Sequence, residues 1–292
     1  MIDENLPLKK ITVNGIELAY YEKGSGRLLI CLHGFPDTAY TFAAMAEKFS
    51  EQGYRIVAPF MRGYYPSEQA PDGDYTLPTL ARDVLALIDA LYEGEGAATA
   101  AVIGHDWGGL AAYHAANLAP EKITALTAMA IPHMGSAKTS WQQFKNMWYT
   151  LFFQLPKIPE WFVARNNFRF IEFIYRLWSP SWAHSEKNID AFKDVLRHPG
   201  CLEATLGYYR CLIRRANKES NALMKQKTAV PALWINGIED RCVDVGQVRY
   251  IDQSFTRGVE LVVVQGAGHF PHLEKPALVQ EKILAFLAHT AV

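Results

Sequence analysis

The feature that most constrains the fold is a group of small residues around Asp106, in the segment Gly104-His105-Asp106-Trp107-Gly108-Gly109. A short apolar run at residues 98–103 precedes it, and an alanine-rich stretch at 110–118 follows it. This order predicts a buried strand, a sharp turn and a helix, with Asp106 at the apex of the turn. Glycines two residues before and two residues after the apex are typical of a turn whose backbone leaves no room for side chains.

Strand and helix patterns alternate along most of the chain. The dipeptide Asn14-Gly15, which lies between two strand patterns, predicts a hairpin. The continuous apolar run at 28–32 predicts a buried strand of the parallel type, and further strands are predicted at 55–58, 98–103, 123–131, 231–236 and 259–264. Composition and apolar spacing predict helices at 41–51, 77–92, 110–118, 243–255 and 276–289.

The alternation stops between residues 133 and 227, where aromatic residues recur at helical spacing, beginning with Trp141, Phe144, Trp148 and Phe152. Aromatic side chains of this segment are more typical of a core than of substrate contacts, and this applies to Phe144, Trp148, Phe152, Trp178 and Trp182. The chain is therefore predicted to have an α/β fold with a mostly parallel sheet. Residues 1–132 and 228–292 would form its core, and residues 133–227 an all-helical lid inserted after the sixth strand.

The balance of charge limits the partners. Lysine and arginine number 29 against 30 for aspartate and glutamate, which argues against nucleic acid or an anionic membrane as a partner. No apolar run has the length of a membrane span, and the acidic first residues show no secretory signal, so a cytoplasmic protein is expected. The four cysteines lack the spacing of a metal site, and Cys31 and Cys242, which lie in or beside apolar runs, are expected to be reduced and structural.

An aspartate at the apex of such a turn predicts a particular chemistry. A carboxylate can attack an electrophilic sp3 carbon and form an alkyl ester, which water must then hydrolyse. The alternative for Asp106 is a simple helix N-cap, where aspartate is common. A cap does not need glycines on both sides, so the nucleophile is favoured. Epoxides and carbon–halogen bonds are the substrates that suit this chemistry.

Four more motifs follow predicted strands in a fixed order: His33-Gly34-Phe35-Pro36, Arg62-Gly63-Tyr64, Gly237-Ile238-Glu239-Asp240 and Gly268-His269. With the Asp106 turn, these motifs resemble those of the α/β-hydrolases, and more narrowly the branch of epoxide hydrolases and haloalkane dehalogenases. The resemblance covers almost the whole chain. It implies an eight-stranded, mostly parallel sheet flanked by helices, with an inserted helical lid.

The resemblance also implies a catalytic triad in the order Asp106, Asp240 and His269. Asp106 would be the nucleophile, His269 the base that activates water, and Asp240 the acid that orients His269. Two alternatives stay open at this point. His272 is a rival to His269 but has no preceding glycine, and Glu239 or Asp244 could take the place of Asp240.

The motifs around Phe35 and Trp107 suggest an oxyanion hole. In the family, backbone N–H groups at these two positions stabilise the negative charge that develops as water attacks the ester. The resemblance further implies that Pro36 follows a cis peptide bond.

The predicted lid distinguishes epoxides from halides. Opening an epoxide places negative charge on oxygen, which a proton donor stabilises. Epoxide hydrolases supply two lid tyrosines, and their segments resemble those around Tyr149 and Tyr209. Haloalkane dehalogenases typically have asparagine where this chain has Phe35, and fluoroacetate-type enzymes have arginines just after the nucleophile, which residues 107–111 lack.

These observations predict an epoxide hydrolase that converts an apolar alkyl- or aryl-substituted epoxide and water to a vicinal diol, as a monomer or homodimer. No cofactor or metal is expected. The alternatives are a dehalogenase that uses the same nucleophile and a non-catalytic protein that binds small molecules on the same fold. A serine esterase is the least favoured, because the sequence contains no Gly-x-Ser-x-Gly.

Overall fold

The computed structural model describes residues 7–137, 140–183, 186–215 and 218–290. An eight-stranded sheet lies at its centre, with the order β1-β2-β4-β3-β5-β6-β7-β8. The strands are β1 (Lys9–Val13), β2 (Ile16–Lys23), β3 (Arg27–Leu32), β4 (Tyr54–Pro59), β5 (Ala100–His105), β6 (Ile123–Met129), β7 (Ala232–Gly237) and β8 (Val259–Val264). Strand β2 runs antiparallel to its two neighbours, β1 and β4, and all other neighbouring strands are parallel, so the predicted mostly parallel sheet is confirmed.

The predicted hairpin at Asn14-Gly15 joins β1 and β2. Both residues have a positive φ, 47° for Asn14 and 80° for Gly15, which is the left-handed conformation that these two residue types tolerate best. The turn therefore follows directly from the dipeptide.

Helices cover the sheet. Helix α2 (Leu77–Leu91) packs against α3 (Trp107–Leu118), and α1 (Ala43–Ser50) packs against α11 (Pro276–Thr290), with the short α10 (Pro271–Glu274) beside α11. Every residue of β5 and β7 is buried, as expected for parallel strands that are covered on both faces. Because parallel strands all end at one edge, the residues that follow β3, β5, β7 and β8 come together there.

The predicted helix at 243–255 is wrong. Two short 3-10 helices, Val245–Val248 and Ile251–Ser254, occupy this stretch. The Asp244 carboxylate accepts a hydrogen bond of 2.9 Å from the Gly246 N–H and starts a tight turn there. Gly246 and the β-branched valines around it have low helix propensity, so the tight turns are preferred to a regular helix.

Between β6 and β7 the chain forms the helical segment, residues 133–227. Its helices are α4 (Trp141–Asn146), α5 (Trp148–Phe152), α6 (Ile158–Trp178), α7 (Glu186–Arg197), α8 (Cys201–Arg214) and α9 (Lys218–Lys225). Helix α6 is kinked, because Asn166, Asn167 and Phe168 have left-handed φ angles of 51°, 55° and 57°. Such a conformation is unfavourable for residues other than glycine.

The prediction that the aromatic residues of the helical segment pack in a core holds for only some of them. Trp178 is fully buried, but Phe144 is 52 % exposed and Trp148 is 40 % exposed, and Trp141, which begins the same helical pattern, is 70 % exposed. The helical spacing was read correctly, whereas the side of the helix that faces the protein was not.

All four cysteines are buried and free of disulfide bonds. Among the helices of the described ranges, none combines the length and the apolar composition that a membrane span requires.

Candidate active site

Asp106 lies at the apex of the turn between β5 and α3, with φ 51° and ψ −115°. Its neighbours must be small. A Cβ atom on Gly104 would lie 2.3 Å from the carbonyl oxygen of Gly108, and a Cβ on Gly108 would lie 2.2 Å from that of Leu32. Close approach by Gly34 adds a third constraint, because its Cβ would be 2.5 Å from the Asp106 side chain. The glycine pattern in the sequence thus holds a strained residue at a fixed position.

The carboxylate of Asp106 is buried but hydrogen-bonded. Its Oδ1 accepts a hydrogen bond of 2.8 Å from the Phe35 N–H, and the Trp107 N–H also stabilises the charge. Burial is the largest influence and raises the pKa of Asp106 to about 6, although His269 and the two N–H groups favour the ionised form. At neutral pH the group is therefore mostly a carboxylate. The Phe35–Pro36 peptide bond is cis, as the resemblance implies.

His269 lies between two carboxylates at this edge of the sheet. Its Nδ1 is 3.0 Å from Oδ2 of Asp240, and its Nε2 is 3.8 Å from Oδ2 of Asp106. Asp240 is held in turn by the N–H groups of Cys242 and Val243, which donate to its Oδ1 at 2.7 and 2.9 Å. Burial alone would lower the pKa of His269, but the charges of Asp240 and Asp106 outweigh it and raise that pKa above 6.5.

The rival residues are placed elsewhere. His272 is in contact with Thr41 Oγ1 at 2.7 Å and stacks on Phe42, and burial lowers its pKa to about 3. Asp244 caps the first of the two 3-10 helices. Of the carboxylates considered for the acid, Asp240 is the one in contact with His269.

Tyr149 and Tyr209 are brought together from α5 and α8, with ring centroids 5.6 Å apart. Phe35 and Trp107 touch Tyr209 edge to face at 5.6 and 5.0 Å. Burial raises the pKa of both phenols well above 10, and the nearby charge of Asp106 raises it further. Both hydroxyls therefore stay protonated at neutral pH, in a buried aromatic enclosure beside Asp106.

Comparison with known proteins agrees with this arrangement. The family described as "alpha/beta hydrolase fold" matches residues 27–276. The chain belongs to the α/β-hydrolase family.

Several relatives of this α/β-hydrolase cover nearly its whole length. The AB hydrolase superfamily protein YfhM of Bacillus subtilis is 33% identical over 95% of this chain and 96% of its own length. Epoxide hydrolase A of Mycobacterium tuberculosis is 28% identical over 95% of this chain and 96% of its own. Among solved structures, epoxide hydrolase VrEH1 from Vigna radiata has a TM-score of 0.82 at 27% identity and covers 98% of this chain and 99% of its own.

The loop that carries His269 is anchored by residues that the sequence analysis missed. The backbone N–H of His269 donates to Ser179 Oγ at 2.9 Å, and Ser179 donates to Glu274 at 2.8 Å. Glu274 also accepts hydrogen bonds from the N–H groups of Gly268 and Phe270 at 2.8 and 3.0 Å. Ser179 is 90 residues from His269 in the sequence, so no local pattern could have revealed the contact.

A second connection joins the helical segment of this α/β-hydrolase to the loop that carries Asp240. Gln143, on α4, donates to the Cys242 carbonyl and accepts from the Asp244 N–H, both at 3.0 Å. The Cys242 thiol lies 3.3 Å from the Tyr149 hydroxyl. Burial raises the pKa of this thiol well above its usual range, so it stays protonated and can orient the phenol. Sequence analysis had assigned Cys242 no function.

Asp37, His105 and His272 form a buried cluster with possible ligand atoms within 4.8 Å of one another, and the ring of His105 lies 5.0 Å from that of His269. Their chemistry could suit a cation, but one nitrogen of each histidine is already engaged. Nε2 of His105 donates to the His269 carbonyl at 2.8 Å, and Nε2 of His272 contacts Thr41. These contacts favour a structural role in supporting the histidine loop, and we assign no metal to the cluster.

Proposed function

We propose that this protein is an epoxide hydrolase that converts an apolar epoxide to a vicinal diol. One observation carries the proposal: two buried, protonated tyrosines lie beside a buried carboxylate that faces a histidine–aspartate pair. The names of the relatives support it, because proteins from Mycobacterium tuberculosis, Caenorhabditis elegans and Vigna radiata that match nearly this whole chain are epoxide hydrolases.

In the first step, the carboxylate of Asp106 attacks a ring carbon. Because Oδ1 is bound to the Phe35 N–H, Oδ2 is the attacking oxygen. The carbon–oxygen bond of the ring breaks, and its electron pair stays on the epoxide oxygen. Tyr149 and Tyr209 hydrogen-bond that oxygen and supply its proton, which lowers the barrier to ring opening. The product of this step is an alkyl ester on Asp106.

In the second step, His269 takes a proton from water, and the hydroxide attacks the ester carbonyl carbon. Asp240 stabilises the charged imidazole that forms. The N–H groups of Phe35 and Trp107 stabilise the oxyanion of the tetrahedral intermediate. As the intermediate collapses, the ester carbon–oxygen bond breaks and the imidazolium of His269 gives its proton to the leaving alkoxide, which completes the diol. The proton left on the Asp106 carboxyl returns to the tyrosinate formed in the first step, so Asp106 is again a carboxylate. His269 Nε2 has no hydrogen-bond partner among the described side chains, so it is available to a water molecule. Neither step needs a cofactor.

The rest of the site supports an epoxide over a halide. A phenyl ring at Phe35 cannot hold a halide ion, and its edge instead contacts Tyr209. The aromatic enclosure favours alkyl or aryl substituents on the ring. We further propose that residues 133–227 are a lid over the core of residues 1–132 and 228–292. This division is supported by the position of both tyrosines, which come from helices inserted between β6 and β7.

The test is intact-protein mass spectrometry of a His269→Gln variant after incubation with an aryl epoxide, a chloroalkane or fluoroacetate. Without the base, the ester should form and persist. We expect a mass gain equal to the whole epoxide, and no gain when Asp106→Ala is added.

A gain from a halide alone, equal to the substrate minus hydrogen halide, would make the protein a dehalogenase. No covalent product with any substrate, together with one molecule retained per protein, would make it a binding protein.

A further inference from the structure

The helical segment exposes an unusual number of large apolar side chains on its outer side. Seven exposed residues of α5, α6 and the loop between them make up what we name the outer aromatic face: Trp148, Leu151, Leu155, Ile158, Trp161, Phe162 and Phe173. Trp161 is 60 % exposed and Leu151 is 59 % exposed. Monomeric proteins rarely leave a patch of this kind uncovered, and such patches commonly mark an interaction surface.

A cavity of about 470 Å³ opens in this face. Trp148, Phe162 and Phe173 form part of its wall, and Arg165 and Arg169 line it as well. It lies at the kink of α6, where three consecutive residues have left-handed φ angles. Aromatic walls beside two guanidinium groups suit a ligand that is apolar at one end and anionic at the other.

The charge around the face is positive. Residues 140–173, which span the face, contain four cations, Lys145, Lys157, Arg165 and Arg169, against two acids, Glu160 and Glu172. Glu160 is already paired with Arg210 at 2.6 Å and Glu172 with Lys193, whereas in the described part of the chain none of the four cations forms an ion pair with a carboxylate. The face therefore carries uncompensated positive charge, although the whole chain has a net charge of −1.

Tryptophans and cations are also paired on or beside this face. The Arg165 guanidinium lies 4.5 Å from the Trp161 ring centroid, and the Lys145 ammonium lies 5.4 Å from the Trp141 ring. Trp and long basic side chains, each with an apolar body and a polar tip, are the residues that settle at the boundary between lipid headgroups and acyl chains.

We propose that the outer aromatic face docks onto the surface of a bilayer that contains anionic phospholipid. The aromatic side chains would enter the headgroup region, and Arg165 and Arg169 would hold a lipid phosphate at the cavity. The alternative occupant is a second copy of the chain. Symmetric self-association would bring together two faces that both carry positive charge, which is unfavourable, whereas an anionic surface attracts these cations.

The near-neutral charge of the whole chain led to the expectation that no membrane is a partner. The outer aromatic face, by contrast, carries local positive charge that an anionic membrane would attract. The inference does not depend on the proposed reaction, since docking is measured without substrate.

The test is cosedimentation of the full chain with vesicles of phosphatidylcholine containing phosphatidylglycerol, and with vesicles of phosphatidylcholine alone. We expect binding to the anionic vesicles, weakened by added salt, and binding at least about tenfold weaker to the neutral ones. Arg165→Gln with Arg169→Gln should weaken binding about 25-fold, since each cation near the surface contributes about fivefold. Trp161→Ala with Phe162→Ala should weaken it roughly tenfold.

The matched control is Leu278→Ala with Arg257→Gln, which removes one exposed apolar side chain and one exposed cation elsewhere and should bind like the parent. Unchanged melting temperatures would show that the variants are folded. Absence of binding to anionic vesicles, or equal binding by all variants, would overturn the proposal. The proposal would also be overturned if the protein did not bind vesicles but formed a dimer at micromolar concentration in sedimentation velocity, and if Trp161→Ala converted that dimer to monomers.

Discussion

The edge of the sheet and the helical segment contribute to the site in opposite ways. At the sheet edge, Asp106, Asp240 and His269 follow strand ends, and their positions are fixed by backbone geometry and backbone N–H groups. The helical segment places Tyr149 and Tyr209 through side-chain packing and through one thiol contact. Asp106, the proposed nucleophile, is therefore held by the fold of the sheet edge, whereas the positions of Tyr149 and Tyr209 depend on how two separate parts of the chain fit together.

The largest effect is expected from breaking the sheet edge itself. Asp106→Asn should lower diol formation by at least about 10⁴-fold, because an amide cannot attack the epoxide, while the Phe35 N–H can still bind the side-chain oxygen. Diol formation is measured by chromatography. Asp244→Asn is the control, since Asp244 only caps a 3-10 helix. Equal losses in both variants would contradict the assignment of the nucleophile.

The next effect tests the contribution of the helical segment. Tyr149→Phe and Tyr209→Phe should each slow ester formation about 10–100-fold, and the double variant about 10³-fold or more, because no donor remains for the epoxide oxygen. Single-turnover kinetics measure this step.

Tyr208 provides a matched control next to Tyr209. Its hydroxyl donates to the Arg62 carbonyl at 2.8 Å, so Tyr208→Phe should cost about 1 kcal/mol of stability. The rate of ester formation should be unchanged. If Tyr208→Phe slowed ester formation as much as Tyr209→Phe does, the loss in the Tyr209 variant would come from packing and not from proton donation.

The pH dependence separates the two steps of the reaction. Ester formation needs ionised Asp106, so its rate should fall about tenfold per pH unit once the pH is below the pKa of about 6. Ester hydrolysis needs neutral His269, so its rate should rise with pH as the imidazolium loses its proton. In the ester Asp106 is uncharged, and Asp240 is then the main carboxylate that raises the pKa of His269. Stopped-flow fluorescence resolves both steps. A single shared pH profile for the two steps would disagree with this assignment.

The smallest effect concerns the connection between the two regions. Cys242→Val should slow ester formation about three- to fivefold, because the Tyr149 hydroxyl loses its partner at 3.3 Å. Cys242→Ser replaces the thiol by a hydroxyl, which can still orient the Tyr149 phenol, so this variant should keep most of the parent rate. A serine variant as slow as the valine variant would show that the thiol acts by filling space.

The sequence was most informative where chemistry depends on nearby residues. Gly104 and Gly108 predicted the turn at Asp106, because their spacing reflects close contacts within that turn and with β3. It was least informative where distant segments meet. The exposure of Trp141 and the contact between Ser179 and His269 depend on tertiary packing, which a helical period does not specify. The helix expected at 243–255 failed because a side-chain cap at Asp244 competed with weak helix propensity.

The bonds from Trp178 and Ser179 to the histidine loop have a consequence for protein engineering and for evolution. The Trp178 carbonyl accepts hydrogen bonds from the N–H groups of both Arg241 and His269, at 3.3 Å each, and Ser179 binds His269 as well. The end of α6 therefore supports the loops that carry Asp240 and His269. If residues 133–227 are exchanged with those of a relative, the hydrogen bonds that support both loops change as well. Such an exchange, made to alter substrate preference, would therefore also alter the catalytic rate.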